Sequence, residues 1–199
     1  TECFLYPILD HCSRSDASGI KAIVIYPMNA LATDQAKRFA QAVSSNESLK
    51  GKVSVGLFVG ESEEKPSRKM TEDWVITDKD VLRQSPPDIL LTNYKMLDLL
   101  LLRPRDRQLW RENTPETLRY LVVDELHTFD GAQGTDLACL LRRLKARLGS
   151  LGASEPICVG TSATLGSSDE ISELTSYAAQ IFQSDFNVDS VIGETRQDI

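Results

Sequence analysis

The sequence predicts an α/β domain: a mostly parallel sheet covered by helices on both faces. Three observations carry this reading. Short apolar runs recur along the chain, separated by stretches of helical periodicity. The runs are apolar throughout, as in strands buried on both faces, and do not alternate as a sheet with one wet face would. Each run stops at a polar cluster, the place where open α/β sheets hold their ligands.

The elements follow in order. Between Glu2 and His11, Phe4, Leu5, Ile8 and Leu9 have helical spacing. A polar, small-residue loop from Ser13 to Gly19 leads to a first strand, Ala22 to Tyr26, ended by Pro27. Asn29 is placed to cap the next helix, which turns Leu31, Ala32, Ala36, Phe39, Ala40 and Val43 inward. Val53 to Val59 is the second strand. Residues 61–83 form a polar insertion with Pro66 and a short helix around Asp80 to Arg83. Asp88 to Thr92 is the third strand, and the leucine-rich stretch Tyr94 to Leu102 is helical. Residues 103–118 are a second polar insertion, and Leu121 to Val123 is the fourth strand.

Asp136 to Leu148 is an amphipathic helix carrying Leu137, Leu140, Leu141, Leu144 and Leu148 on one face, with Thr135 as its cap and Gly149 as its stop. Ile157 to Gly160 is the fifth strand. Ser167 and Glu170 have capping-box spacing for a last helix that turns Ile171, Leu174, Ala178 and Ile181 inward. Phe186 to Ile192 is expected to add a final strand.

The chain has 199 residues, enough for one substantial domain. It has no apolar run long enough to cross a membrane and no leader pattern. It does not begin with Met and is read as a piece of a longer protein. The four cysteines, Cys3, Cys12, Cys139 and Cys158, show no metal-ligand spacing. Their apolar surroundings predict buried free thiols and a cytoplasmic, reducing setting. A net charge of −7 argues against a broad basic face for nucleic acid. It leaves room for a local groove that grips one strand.

The polar clusters at the strand ends carry the chemistry. The apolar run Leu121-Val122-Val123 delivers Asp124-Glu125 and then His127. Adjacent carboxylates at a strand's carboxyl end can hold Mg²⁺ and activate water, though a polar turn after a strand has the same look. The other strands end in YPMNALATDQ (26–35), FVGE (58–61), TNYKML (92–97) and GTSATL (160–165).

With these motifs in this order, the chain resembles the first RecA-like domain of a superfamily 2 DExH-box helicase. YPMNALATDQ resembles motif Ia, TNYKML the next strand-contact motif, DELH motif II and TSAT motif III. The longer string DELHTFDGAQGTDLACLLRRL is most similar to large helicases of the MrfA/Lhr-like kind and to phage-defence helicases of the DISARM type. The resemblance covers nearly the whole chain and implies a three-layer RecA-like fold of the P-loop NTPase class. It departs from the family at one point: the phosphate loop and its strand are not in this sequence. Residues 1–199 then correspond to the ATP-binding domain from motif Ia to motif III, with Thr1 as the last residue of the phosphate loop.

The resemblance also implies roles. Thr1 and Asp124 would hold Mg²⁺, and Glu125 would orient or deprotonate the attacking water beside bound ATP. His127 would link the nucleotide site to motif III or to a second RecA-like domain. Ser162, Ala163 and Thr164 would couple nucleotide state to movement. Asn29, Ala30, Leu31, Gln35, Gly60, Thr92 and Asn93 would face the nucleic acid, DNA before RNA. Blander readings stand beside these: Asn29 as a plain helix cap, Gly60 as a turn glycine, Thr92-Asn93 as an ordinary strand-to-helix turn.

Arg103, Arg105, Arg107 and Arg111 form the densest basic run, read with Trp110 as a solvated insertion held by one aromatic anchor. Arg142, Arg143, Lys145 and Arg147 are read as the wet face of a helix. The parent is thus expected to be an ATP-dependent helicase or translocase, with this chain alone inactive. The alternative is a non-catalytic module for nucleic-acid or protein interaction. Without the phosphate-loop strand the sheet is expected to expose an edge, which predicts low stability or self-association.

Overall fold

The computed structural model describes residues 2–60, 65–149, 154–163 and 168–193. Its centre is a five-stranded, wholly parallel sheet in the order β2-β3-β1-β4-β5. The strands are β1 (Ala22–Tyr26), β2 (Val55–Phe58), β3 (Ile89–Asn93), β4 (Tyr120–Val123) and β5 (Ile157–Gly160). The helices are α1 (Glu2–Arg14), α2 (Asn29–Ser44), α3 (Lys79–Gln84), α4 (Tyr94–Leu102), α5 (Gly131–Leu148) and α6 (Ser168–Phe182). This is the parallel α/β arrangement the strand pattern predicts, in the RecA-like form that the resemblance implies.

Because side chains alternate across a strand, each face of the sheet builds its own core. Ala22, Val24 and Tyr26 of β1 join Phe4 and Ile8 of α1 and Ala36 and Phe39 of α2 on one face. Ile23 and Ile25 of the same strand meet Leu97 of α4, Leu141 of α5 and Ile181 of α6 on the other. Every residue of β1 is buried, which explains its unbroken apolar run. Within β2, Gly56 has no side chain because Leu82 of α3 and Pro87 pack directly against it.

The two edges of the sheet differ. The outer side of β2 is met by Ile76, whose N–H donates to the Val55 carbonyl at 3.0 Å while its own carbonyl accepts from Leu57 N–H at 2.8 Å. β5 is bonded on its β4 side only, and among the described residues no strand pairs with its other side. Ile157 there is 41% exposed. The sequence-based expectation of an exposed edge falls on this strand.

Several local expectations are corrected. Asn29 does not cap α2: it is the first helical residue, and the cap position is Met28, whose side chain makes no capping bond. α5 starts at Gly131 after Asp130, so Thr135 lies inside the helix and donates its hydroxyl to the Gly131 carbonyl at 3.3 Å. Gly149 does end α5, with a left-handed φ of 71°. Phe186 to Ile192 forms no strand; it holds a 3₁₀ turn, Val188–Ser190, closed by the Asn187 side chain. Cys3 and Cys139 are exposed, because each occupies the outer face of its helix, whereas Cys12 is buried. Burial, chiefly, pushes the Cys12 thiol up to about 12. The Ser167–Glu170 capping box lies outside the described residues.

Candidate functional site at the carboxyl rim

All five strands end on the same rim, so their polar clusters form one row. The register of β4 with β5 pairs Val123 with Gly160 and so sets Asp124 opposite Thr161. Thr161 ties the two strand ends together. Its hydroxyl donates to Asp124 Oδ1 and accepts from the Glu125 N–H at 3.0 Å. Its backbone N–H donates to the Val123 carbonyl at 3.1 Å, and its carbonyl accepts from Leu126 N–H at 2.7 Å. One residue thus fixes both the Asp124 carboxylate and the turn behind it.

Glu125 sits in the left-handed region, with φ 52° and ψ 49°. A non-glycine residue held there costs on the order of 1–3 kcal/mol and persists only where its surroundings fix it. Here they do. Thr161 holds its N–H, and its carbonyl accepts from both the N–H and the hydroxyl of Thr128, at 2.9 and 2.8 Å. The left-handed turn sends the Glu125 and Asp124 carboxylates in different directions. Asp124 is 6% exposed, while the Glu125 side chain is 38% exposed. His127 bridges the turn: Nε2 lies 3.4 Å from Glu125 Oε2, and Nδ1 lies 3.1 Å from Ser162 Oγ. Tyr26, buried at the end of β1, has a hydroxyl with no hydrogen-bond partner among the described residues. Burial, and then the Asp124 charge, hold that hydroxyl well above its ordinary pKa, so it keeps its proton.

The other half of the rim is joined through Asn93. It caps α4 by accepting from the Met96 N–H at 2.7 Å, and its amide Nδ2 donates to Asn29 Oδ1. Asn29 therefore packs on the neighbouring strand end and does not fold back on its own helix. The first turn of α2 is left without a side-chain cap, and Ala30 is exposed with Leu31 half-buried beside it. Gly60 is exposed at the end of β2.

The structure separates the sequence-derived site residues. Asp124, Glu125, His127 and Ser162 come together in one hydrogen-bonded unit. Ala163 is exposed just beyond it. Thr1 and Thr164 lie outside the described residues. Thr92 and Gln35 turn their side chains into the domain. Thr92 is fully buried and donates its hydroxyl to the Phe58 carbonyl at 2.7 Å, tying β3 to β2. Gln35 is buried on the inner face of α2. Lys145, expected on a wet face, is also buried; its ammonium donates to the Phe182 carbonyl at 2.7 Å and lies 3.4 Å from Glu155. Trp110 is the expected anchor, buried with its indole N–H on the Leu100 carbonyl at 3.1 Å. Sequence reasoning does not reach the bridging role of Thr161, although the residue stands in the TSAT string. Its signal is the parallel register, which fixes its partner across the sheet.

Among the described residues no helix is long and apolar enough to cross a membrane. A model of the DEAD/DEAH box helicase family matches residues 1–172. The Druantia protein DruE of Escherichia coli (strain UMEA 4076-1) is 38% identical over 106 residues, covering 50% of this chain and 6% of that protein. The uncharacterized ATP-dependent helicase YprA of Bacillus subtilis (strain 168) is 27% identical over 177 residues, 87% of this chain and 20% of that protein. The chain therefore spans only 6% to 20% of the length of these relatives. Among solved structures, the DUF1998 helicase MrfA bound to DNA and AMPPNP is similar with a TM-score of 0.66 and 22% identity, over 93% of this chain and 22% of that one. At that identity the likeness is one of fold.

Proposed function

The chain belongs to the DEAD/DEAH box helicase family, and on that premise we propose that it is the ATP-binding first RecA-like domain of a DNA helicase or translocase. The observation that carries this reading is the unit Asp124–Thr161–Glu125–His127–Ser162. It joins a pair of carboxylates suited to nucleotide hydrolysis to the end of the next strand, so that a change at one is felt at the other. DNA is favoured over RNA because a relative of the same fold was solved bound to DNA.

The residues fit the Mg²⁺ and ATP that the family implies. Among the described residues no group of three or more His, Cys, Asp or Glu could cage an ion unaided. Mg²⁺ does not need one, since it keeps waters and is shared between one or two carboxylates and the phosphates. Thr161 takes one oxygen of Asp124, which leaves the other for a metal-bound water, and Thr1 would add its hydroxyl. Bound Mg²⁺ would neutralise the charge that develops on the phosphates. Glu125 is the more exposed carboxylate and would orient the attacking water and accept its proton. His127 would hold Glu125 and report through Ser162. Asn29, Ala30 and Leu31 present the uncapped start of α2, whose free amides suit a backbone phosphate. Gly60 would let such a backbone approach closely.

ATP would lie between this domain and a second RecA-like domain, and opening and closing of that cleft would step the strand. This chain alone would turn over no ATP. The whole protein is expected to hydrolyse ATP, with the rate rising when single-stranded DNA is added. An ATPase indifferent to every DNA and RNA would remove the helicase reading, and the absence of any ATPase would point to a non-catalytic binding module.

A further inference from the structure

At the carboxyl rim one row of the sheet carries Tyr26, Asp124 and Thr161 side by side. The register pairs Ile25 with Val123 and Val123 with Gly160, and the Asp124 N–H donates to the Ile25 carbonyl at 2.9 Å. The next residues of the three strands therefore fall in line. Because side chains alternate along a strand, all three turn to the face that holds Val24, Val122 and Val159, under α1 and α2. Asp124 thus stands between two hydroxyl residues. Thr161, on the β5 side, is bonded to it. Tyr26, on the β1 side, is fully buried, and its hydroxyl has no partner among the described residues. Resting on the reading above, we propose that Tyr26 is a positioning residue for Asp124: its hydroxyl is held in reserve beside the carboxylate and donates to it once Mg²⁺ and nucleotide are bound.

A hydroxyl buried without a partner weakens a fold, since it has given up water and gained nothing in return. Phenylalanine would fill the same space in β1 without that loss. Positions that break a packing rule in this way are where function, not stability, sets the residue. The chemistry of the group suits the role. Burial, and then the charge on Asp124, keep the phenol protonated, so it can donate to a carboxylate. A neutral donor also leaves the negative charge of Asp124 in place for a cation. Thr161 alone fixes one oxygen of that carboxylate and lets the group swing about a single bond. A second donor on the opposite flank would fix its plane as well, as partners behind a metal ligand commonly do.

Gln35 is the competing acceptor. Its Oε1 is also buried without a partner among the described residues, on the inner face of α2, which packs on the same side of the sheet. A bond between Tyr26 and Gln35 would make the hydroxyl a plain structural group. The carboxylate is the stronger claimant, because a hydrogen bond to a charged acceptor is roughly twice as strong as one between neutral groups.

The test compares the whole protein as wild type, Tyr26→Phe and Gln35→Met. Binding of mant-ADP is followed by fluorescence in Mg²⁺ and in EDTA, and thermal unfolding is measured without nucleotide. Tyr26→Phe should unfold at the same or a higher temperature and bind mant-ADP like wild type in EDTA. In Mg²⁺ it should bind roughly tenfold more weakly, the worth of one hydrogen bond to a charged group. Gln35→Met should keep the wild-type ratio of the two affinities, a quantity that loosened packing would not change selectively. An unchanged ratio in Tyr26→Phe would overturn the proposal and leave the helicase reading intact. A Tyr26→Phe protein that fails to fold would also overturn it, since the hydroxyl would then be needed before any ligand arrives. An equal loss of the ratio in Gln35→Met would overturn it in favour of a Tyr26–Gln35 pair. A wild type that gains no affinity from Mg²⁺ would remove the metal role of Asp124, and this proposal with it.

Discussion

At the β4–β5 end of the carboxyl rim, carboxylates are gathered and held by hydroxyls; at the β2–β3 end, Asp80 and Asp106 are answered by Arg83. The first end is built from two adjacent strands in register. The second is assembled largely from insertions between strands. Under the proposed function, one parallel sheet would serve two kinds of phosphate, with carboxylates for a metal ion at one end and the free amides at the start of α2 for a bare backbone.

The largest effect that separates the two ends should come from Glu125→Gln in the whole protein. We expect ATP hydrolysis to fall by roughly 10²- to 10⁴-fold, the usual contribution of a positioned acid–base group, with single-strand affinity retained. Steady-state phosphate release and anisotropy measure the two, and a parallel fall in both would merge the ends into one site. Next comes Thr161→Val, which keeps the shape and removes the hydroxyl between Asp124 and the Glu125 amide. Leaving these groups unsatisfied should cost about 1–3 kcal/mol in denaturant unfolding, and Thr161→Ser should restore most of it.

The smallest effect lies at the other end. Among the described residues, an added Cβ at Gly60 would meet only Met96 Cε, at 3.7 Å. Gly60→Ala should therefore change stability by less than about 0.5 kcal/mol. A several-fold loss of single-strand affinity without loss of stability would show that the bare backbone is there for a ligand; unchanged affinity would make Gly60 a turn residue.

Legibility in the sequence follows the same division. β1 and α4 lie where their patterns put them, because a strand buried on both faces or a leucine-rich helix has no second way to hide its side chains. The start of α5 escapes the pattern because Gly131 to Thr135 is small and polar and shows no periodicity until Leu137. Asp124, Glu125 and His127 are adjacent in sequence, and the structure gathers them in one turn. The partners of Thr161, Thr92 and Asn93 are hidden from the sequence, because a hydroxyl or amide finds its partner through sheet register, dozens of residues away. The buried pair of Arg83 with Asp106 is hidden for a related reason: its members come from separate insertions, and each alone looks like part of a solvated run.

β5 leads into Thr161, which holds the Asp124–Glu125 turn, and among the described residues it is also the last strand of the sheet. Its alternate residues Ile157 and Thr161 bond to β4, so the backbone groups of Cys158 and Gly160 point outward. Four residues of strand separate the start of this open edge from the hydroxyl that holds Asp124. Whatever lies along that edge sets how firmly the strand is seated, and so the Asp124 carboxylate inherits its precision from a boundary it does not touch.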